Sequence, residues 1–169
     1  MVIWLTGLSG AGKTTTGKLL FQKIKSEHNH SVFLDGDILR EVWGDKLGHD
    51  IAGRKMNAER VSKLCALLDS QGINVVVCIL SIFPEWLAWN RENLSDYFEV
   101  FLDVPYEIVE KRDSKGLYAL AREGKIKNLV GVHIPLPKQR TWDLRLAPPE
   151  VLKAPSIVAD KIFEAMELR

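Results

Sequence analysis

Charge of one sign is not in excess. The 23 Lys and Arg residues against 22 Asp and Glu leave a formal charge of +1, which gives no global attraction to nucleic acid or to an anionic membrane. Cysteine is scarce. Cys65 and Cys78 are too few for a disulfide framework or a four-thiolate zinc site, and both read as buried thiols. The histidines His28, His30, His49 and His133 lack the helical spacing that would place two on one metal. No apolar run approaches the ~20 residues of a membrane span. The opening Met1-Val2-Ile3-Trp4-Leu5 has no basic region before it and meets glycine at once, unlike a signal peptide. These absences predict a cytoplasmic protein with neither nucleic-acid nor membrane partners. Any anion it binds must be caught by a local arrangement.

What is present is an ordinary globular mixture, 46% hydrophobic and 27% charged over 169 residues, enough for one domain with its own core. Short apolar runs at 2–6, 31–34, 73–80, 98–102 and 143–146 read as strands. Amphipathic stretches at 13–28, 54–71, 84–94, 105–112 and 149–168 read as helices. The alternation predicts an α/β fold, a five-stranded parallel sheet flanked by helices. The segment 113–137, rich in Lys, Arg and Gly, breaks the rhythm and reads as a mobile, basic lid off the core.

The sharpest signal is Gly7-Leu8-Ser9-Gly10-Ala11-Gly12-Lys13-Thr14 with Thr15 behind it. It fits G-x-x-x-x-G-K-[ST] between a strand and a helix. Glycines let successive amides face a phosphate, and the helix N-terminus adds unpaired donors. Lys13 reaches the outer phosphates, and the Thr14 hydroxyl can ligate Mg²⁺. The expected donor is therefore a nucleoside triphosphate with Mg²⁺. Asp35-Gly36-Asp37 closes the second strand, where ligands gather in parallel sheets. One carboxylate, Asp35, is expected at the metal, and Asp37 at an acceptor hydroxyl. The bland alternative makes this a polar turn with Asp37 capping the next helix. Arg40 follows one turn on. Arg112, Lys115, Arg122, Lys125 and Lys127 supply cations, with Gly116 among them for flexibility, that a closing lid could bring to transferring phosphate oxygens. A solvated charged loop is the competing reading.

Taken together, these strings resemble the adenylylsulfate kinases. The resemblance runs from Val2 to about Leu146. It rests on Asp35-Gly36-Asp37 with Arg40, on Arg54, Asn57 and Arg60 along one helix, on Arg112-Asp113-Ser114-Lys115-Gly116-Leu117-Tyr118, and on Ile126-Lys127-Asn128 before Gly131. It implies a P-loop kinase fold, ATP as donor, and transfer of the γ-phosphate to the ribose 3′-hydroxyl of a nucleotide bearing a second acidic group on its 5′-phosphate. It assigns Arg40, Arg54, Asn57, Lys115 and Leu117 to the acceptor and implies a homodimer. Ser81 falls where the family sometimes has a phosphoserine; direct in-line transfer needs no such intermediate, so a positioning role is expected of it.

The departures lie on the acceptor side. The family holds adenine between two phenylalanines. Here Leu47-Gly48 is followed by His49, and Ile126-Lys127-Asn128 by Leu129. Two faces each able to stack a base for about 1–3 kcal/mol are gone. Ser81-Ile82-Phe83-Pro84 lacks the family's arginine, and Val132-His133-Ile134-Pro135-Leu136 replaces an acidic segment. A divergent branch, the cytidine diphosphoramidate kinases of capsular phosphoramidate synthesis, is more similar at Trp89-Asn90-Arg91-Glu92-Asn93 and Asn128-Leu129-Val130-Gly131. Arg91 is the expected substitute for the missing cation. Adenylyl sulfate remains the alternative acceptor. A GTPase switch would need Asn-Lys-x-Asp, which is absent, and a non-catalytic module would be expected to lose Lys13, Asp35 or Asp37, which are all present.

Overall fold

The computed structural model describes residues 1–44, 47–137 and 141–168. Strands β1 (Val2–Thr6), β2 (Ser31–Asp35), β3 (Asn74–Cys78), β4 (Tyr97–Leu102) and β5 (Leu144–Leu146) form one sheet in the order β2-β3-β1-β4-β5. Every pairing is parallel, with Val2 opposite both Val75 and Tyr97. The chain leaves β1 toward one edge for β2 and β3, then crosses to the other for β4 and β5. The loops after β1, β2 and β3 therefore open on one crevice at the carboxyl ends of the strands.

Alternation along each strand feeds two cores. Ile3, Leu5, Val76, Phe98 and Val100 pack with α1 (Lys13–Glu27) and α7 (Pro155–Glu167). Val2, Trp4, Val75, Val77 and Tyr97 pack with α3 (Ile51–Ser70) and α4 (Pro84–Asn93). Being covered on both sides, β1, β3 and β4 are apolar nearly throughout, as buried parallel strands must be. Cys65 and Cys78 are both buried thiols, and burial pushes each up to about 12. Among the described residues no helix is long and apolar enough to cross a membrane.

The structure departs from the expected elements at three places. The closing helix does not begin at 149: a 3₁₀ turn, Glu150–Leu152, comes first, and α7 restarts with Pro155 in its first turn, where a missing amide costs nothing. Helix α3 starts at Ile51 because the Asp50 carboxylate accepts the Gly53 amide at 2.7 Å. The segment 113–137 is not an excursion off the core. Its helix α6 (Leu117–Arg122) follows α5 (Tyr106–Arg112), and Tyr118, Ala121, Leu129 and Val130 are buried in the main cluster. Asp113 joins the two helices, accepting the amides of Tyr118 at 3.0 Å and Ala119 at 2.9 Å.

Gly17 shows how closely α1 lies on the sheet. A Cβ there would stand 2.3 Å from Cys78 Sγ and 3.2 Å from Phe33 Cε2. Gly17→Ala should cost about 1–3 kcal/mol in urea unfolding, since overpacking outweighs the roughly 1 kcal/mol gain in helix propensity. In a Cys78→Ala background the cost should shrink by about 1 kcal/mol or more, because the two positions share one space. Additive losses would show that α1 shifts freely.

Candidate active site

The loop after β1 lies against the end of β4 and enters α1 through Gly12, which adopts the left-handed conformation at φ 92°. Among the described residues no side chain caps α1, so its first-turn amides keep their donor capacity for an anion. Lys13 bends back over the loop and donates to the carbonyls of Gly7 at 2.9 Å and Leu8 at 2.8 Å. Burial lowers the Lys13 ammonium to about 8, outweighing the nearby Cys78, Asp37 and Asp35. Leu8 and Ala11 are buried under the loop, while Ser9, Gly10, Gly12, Lys13, Thr14 and Thr15 line the cleft above it.

Asp35 ends β2 and caps α2 (Gly36–Val42): one oxygen accepts the Asp37 amide at 2.9 Å, the other the Thr14 hydroxyl at 2.7 Å. The cap is thus Asp35, not Asp37. Asp37 is left facing the cleft, where it pairs with Lys115. Burial pushes the Asp37 carboxyl up, but Lys115, then Lys13 and Arg40, outweigh it and hold the carboxyl below its usual range.

The far wall depends on a close crossing. The carbonyl of Gly48 would lie 2.3 Å from a Cβ on Gly53, so only glycine lets the 47–49 strand of chain pass over the first turn of α3. Arg40 Nη1 donates to the carbonyls of Leu47 at 3.2 Å and Gly48 at 3.3 Å. Arg54 spans the cleft, donating from Nε to the His49 carbonyl at 2.8 Å and from Nη2 to the Asn128 carbonyl at 2.9 Å. Burial, then the neighbouring Arg40 charge, lowers Arg54. Asn57 is buried, and its Oδ1 has no hydrogen-bond partner among the described residues. His49, Arg54, Asn57, Leu117 and Leu129 all line the same cleft, of about 680 Å³, as Lys13, Asp37 and Lys115.

Five expected site residues lie elsewhere. Arg91 is committed to the far side of β4, where it bridges fully buried Glu99 at 3.2 Å and Asp143 at 3.0 Å and donates to the Thr141 carbonyl. A buried carboxylate needs such a cation, and Arg91 is not among the residues lining the cleft. Ser81 is buried, taking the Trp4 indole N–H at 2.7 Å and giving its amide to Thr6 Oγ1. Arg122 faces Glu110 at 3.7 Å. Lys127 is exposed, and Gly116 serves as the left-handed N-cap of α6; neither lines the cleft. Arg112 does, and donates to the Gly10 carbonyl at 3.4 Å.

Tyr118 had no role assigned from the sequence, yet its hydroxyl donates to the Ser9 carbonyl at 2.9 Å. It therefore ties α6 to the phosphate loop. Cys78 also forms part of the cleft. Its place at the carboxyl end of a central strand was the available signal.

Residues 1–147 match the Adenylylsulphate kinase family. The chain belongs to that family. The cytidine diphosphoramidate kinase of Campylobacter jejuni is 40% identical over 137 residues, covering 81% of this chain and 80% of that protein. The adenylyl-sulfate kinase of Gloeothece citriformis is 39% identical over 135 residues, covering 80% and 77%. The Mycobacterium tuberculosis APS kinase CysC, solved in complex with AMPPNP and APS, superposes with a TM-score of 0.87 at 36% identity over 98% of this chain and 96% of that one. Shikimate kinase from Aquifex aeolicus shares the fold, with a TM-score of 0.61 and 22% identity over 99% and 96%. The chain is thus a kinase of the adenylylsulphate kinase family with a P-loop α/β fold.

Lys13 gives this site a pH signature. Its folded value of about 8 lies below the ordinary lysine value of 10.5, so between those pH values the unfolded chain binds more protons and stability rises with pH. In the ligand-free protein this contribution should be on the order of 2 kcal/mol. Unfolding curves at pH 7.5 and 10 should show Lys13→Met lacking that rise relative to the unaltered chain.

Proposed function

We propose that this kinase transfers the γ-phosphate of ATP to the ribose 3′-hydroxyl of cytidine diphosphoramidate, a nucleotide whose 5′-phosphate carries a phosphoramidate. The observation that carries the choice of acceptor is the pair of cleft residues His49 and Leu129, which replace the two aromatic faces expected for adenine. A smaller pyrimidine needs less stacking surface than a purine, and each lost face is worth about 1–3 kcal/mol. The Campylobacter jejuni relative, named a cytidine diphosphoramidate kinase, supports the same reading.

For the donor, support comes from the phosphate loop and from AMPPNP in the related CysC structure. Lys13 exchanges the Gly7 and Leu8 carbonyls for phosphate oxygens, and the uncapped first turn of α1 receives the anion. Thr14 and Asp35 meet as two hard oxygen donors at 2.7 Å, a set that fits Mg²⁺. Bound there, Mg²⁺ supplies charge neutralisation to the phosphates.

At the acceptor, Asp37 receives the proton of the 3′-hydroxyl as that oxygen bonds to the γ-phosphorus and the bond to ADP breaks. Lys115 holds Asp37 ionised until the hydroxyl takes its place. Arg40 and Arg54 offer cations to the 5′ anhydride, and the unpartnered Asn57 Oδ1 accepts a hydrogen bond from the acceptor. Arg112, at the end of α5 and bonded to the Gly10 carbonyl of the phosphate loop, stabilises the transferring group, while Arg122 stays with Glu110.

A coupled ADP-release assay with Mg·ATP tests the acceptor, comparing cytidine diphosphoramidate with adenylyl sulfate at equal, subsaturating concentrations. The cytidine compound should be preferred. Preference for adenylyl sulfate would make this an adenylyl-sulfate kinase, as the Gloeothece citriformis relative is named. Asp37→Asn should lower kcat by about 10²-fold or more, as loss of a general base does, with ATP affinity by calorimetry nearly unchanged. Undiminished turnover would remove Asp37 from the reaction.

A further inference from the structure

The backbone that presents Leu129 to the cleft is anchored at both ends of one peptide group, the bond from Asn128 to Leu129. Its carbonyl oxygen accepts Arg54 Nη2 at 2.9 Å, from the cleft side. Its N–H donates to His133 Nδ1 at 3.1 Å. The two bonds lie at opposite ends of one rigid plane, so together they fix its rotation. Asn128 before it has φ 63°, a conformation that non-glycine residues hold only when their surroundings dictate it. After it, the Leu129 carbonyl receives the amides of Val132 at 3.2 Å, His133 at 2.8 Å and Ile134 at 3.2 Å, and Gly131 donates to the Ile134 carbonyl at 2.8 Å. The turn thereby folds the imidazole back under the Leu129 amide. An amide can donate to Nδ1 only when that nitrogen carries no proton, which assigns the ring proton to Nε2.

We infer that His133 is a positioning residue for the acceptor, acting through the Leu129 amide to fix the wall of the cleft against which the acceptor base rests. It rests on the proposed reading that Leu129 faces the acceptor. His133 is itself exposed and does not line the cleft. Without it, the Asn128–Leu129 peptide keeps only its Arg54 anchor and can rotate, and the Leu129 side chain moves with it. The ATP side is untouched, because the phosphate loop is held by Lys13, Arg112 and Tyr118 instead.

His133→Leu and His133→Asn test this, since an asparagine Oδ1 can accept the same N–H and a leucine cannot. Amide hydrogen exchange is read first, on the substrate-free protein. The Leu129 amide should exchange about five- to ten-fold faster in H133L, the loss of one net hydrogen bond, and return toward the original rate in H133N. In steady-state kinetics with whichever acceptor the enzyme turns over, H133L should raise acceptor KM about three- to ten-fold and leave the KM for ATP within two-fold. H133N should recover most of the change. Unaltered exchange in H133L overturns the inference whatever the activity. An equal rise in both KM values also overturns it, because that is general loosening. Failure of the unaltered enzyme to use either nucleotide would instead sink the functional reading, with exchange still deciding the hydrogen bond.

Discussion

The Asp35 carboxylate joins the two halves of the site. With one oxygen it accepts the Thr14 hydroxyl from the helix after the phosphate loop, and with the other it caps α2 through the Asp37 amide. The first contact ties β2 to α1, and the second sets where α2 begins. Asp37 and Arg40 follow on α2 and face the cleft because of that start. A carboxylate that is largely buried and fully engaged is a firm hinge point. The phosphate-loop half and the α2 half of the cleft are therefore positioned by one residue.

The protein carries almost no net charge, so its affinity for anionic nucleotides is a matter of placement. Lys13, Arg40, Arg54, Arg112 and Lys115 converge on one cleft, and each is provisionally satisfied by a protein group there. Lys13, Arg40, Arg54 and Arg112 donate to backbone carbonyls, and Lys115 pairs with Asp37. Carbonyls are weaker partners than phosphates, so the cations are held in place yet remain available for exchange. These same bonds shape the empty cleft, since Arg40 and Arg54 hold the very backbone that presents His49 and Leu129.

The turn at Asp113 and the phosphate loop form one mechanical unit. Asp113 starts α6, Tyr118 reaches Ser9, and Arg112 reaches Gly10. A basic segment that composition alone marks as solvated is thus rooted in the core by an aromatic residue packed edge-on to Tyr106 at 5.7 Å. The placement of the segment is therefore linked to the shape of the loop between β1 and α1.

Much of this was legible in the residues. The phosphate loop, the order of strands and helices, the Asp35-Gly36-Asp37 turn and the His49 and Leu129 departures are all local patterns, because glycine spacing, alternation and helical periodicity act over a few residues. The misreadings share a different cause. Arg91 looked like a spare cation for an acceptor, but the chain folds it beside Glu99, a carboxylate buried in the middle of a strand, and an unpaired charge there is far costlier than a missing ligand contact. Ser81 is absorbed by an indole from β1. Tyr118 and His133 acquire roles only because the turn at 113 and the turn at 131 bring them back to Ser9 and Leu129. The sequence by itself determined the sheet, the helices and the anion-binding loop, whose physics is local. Tertiary structure alone decided which cations face the cleft and which neutralise the core, because that choice depends on partners distant in the chain.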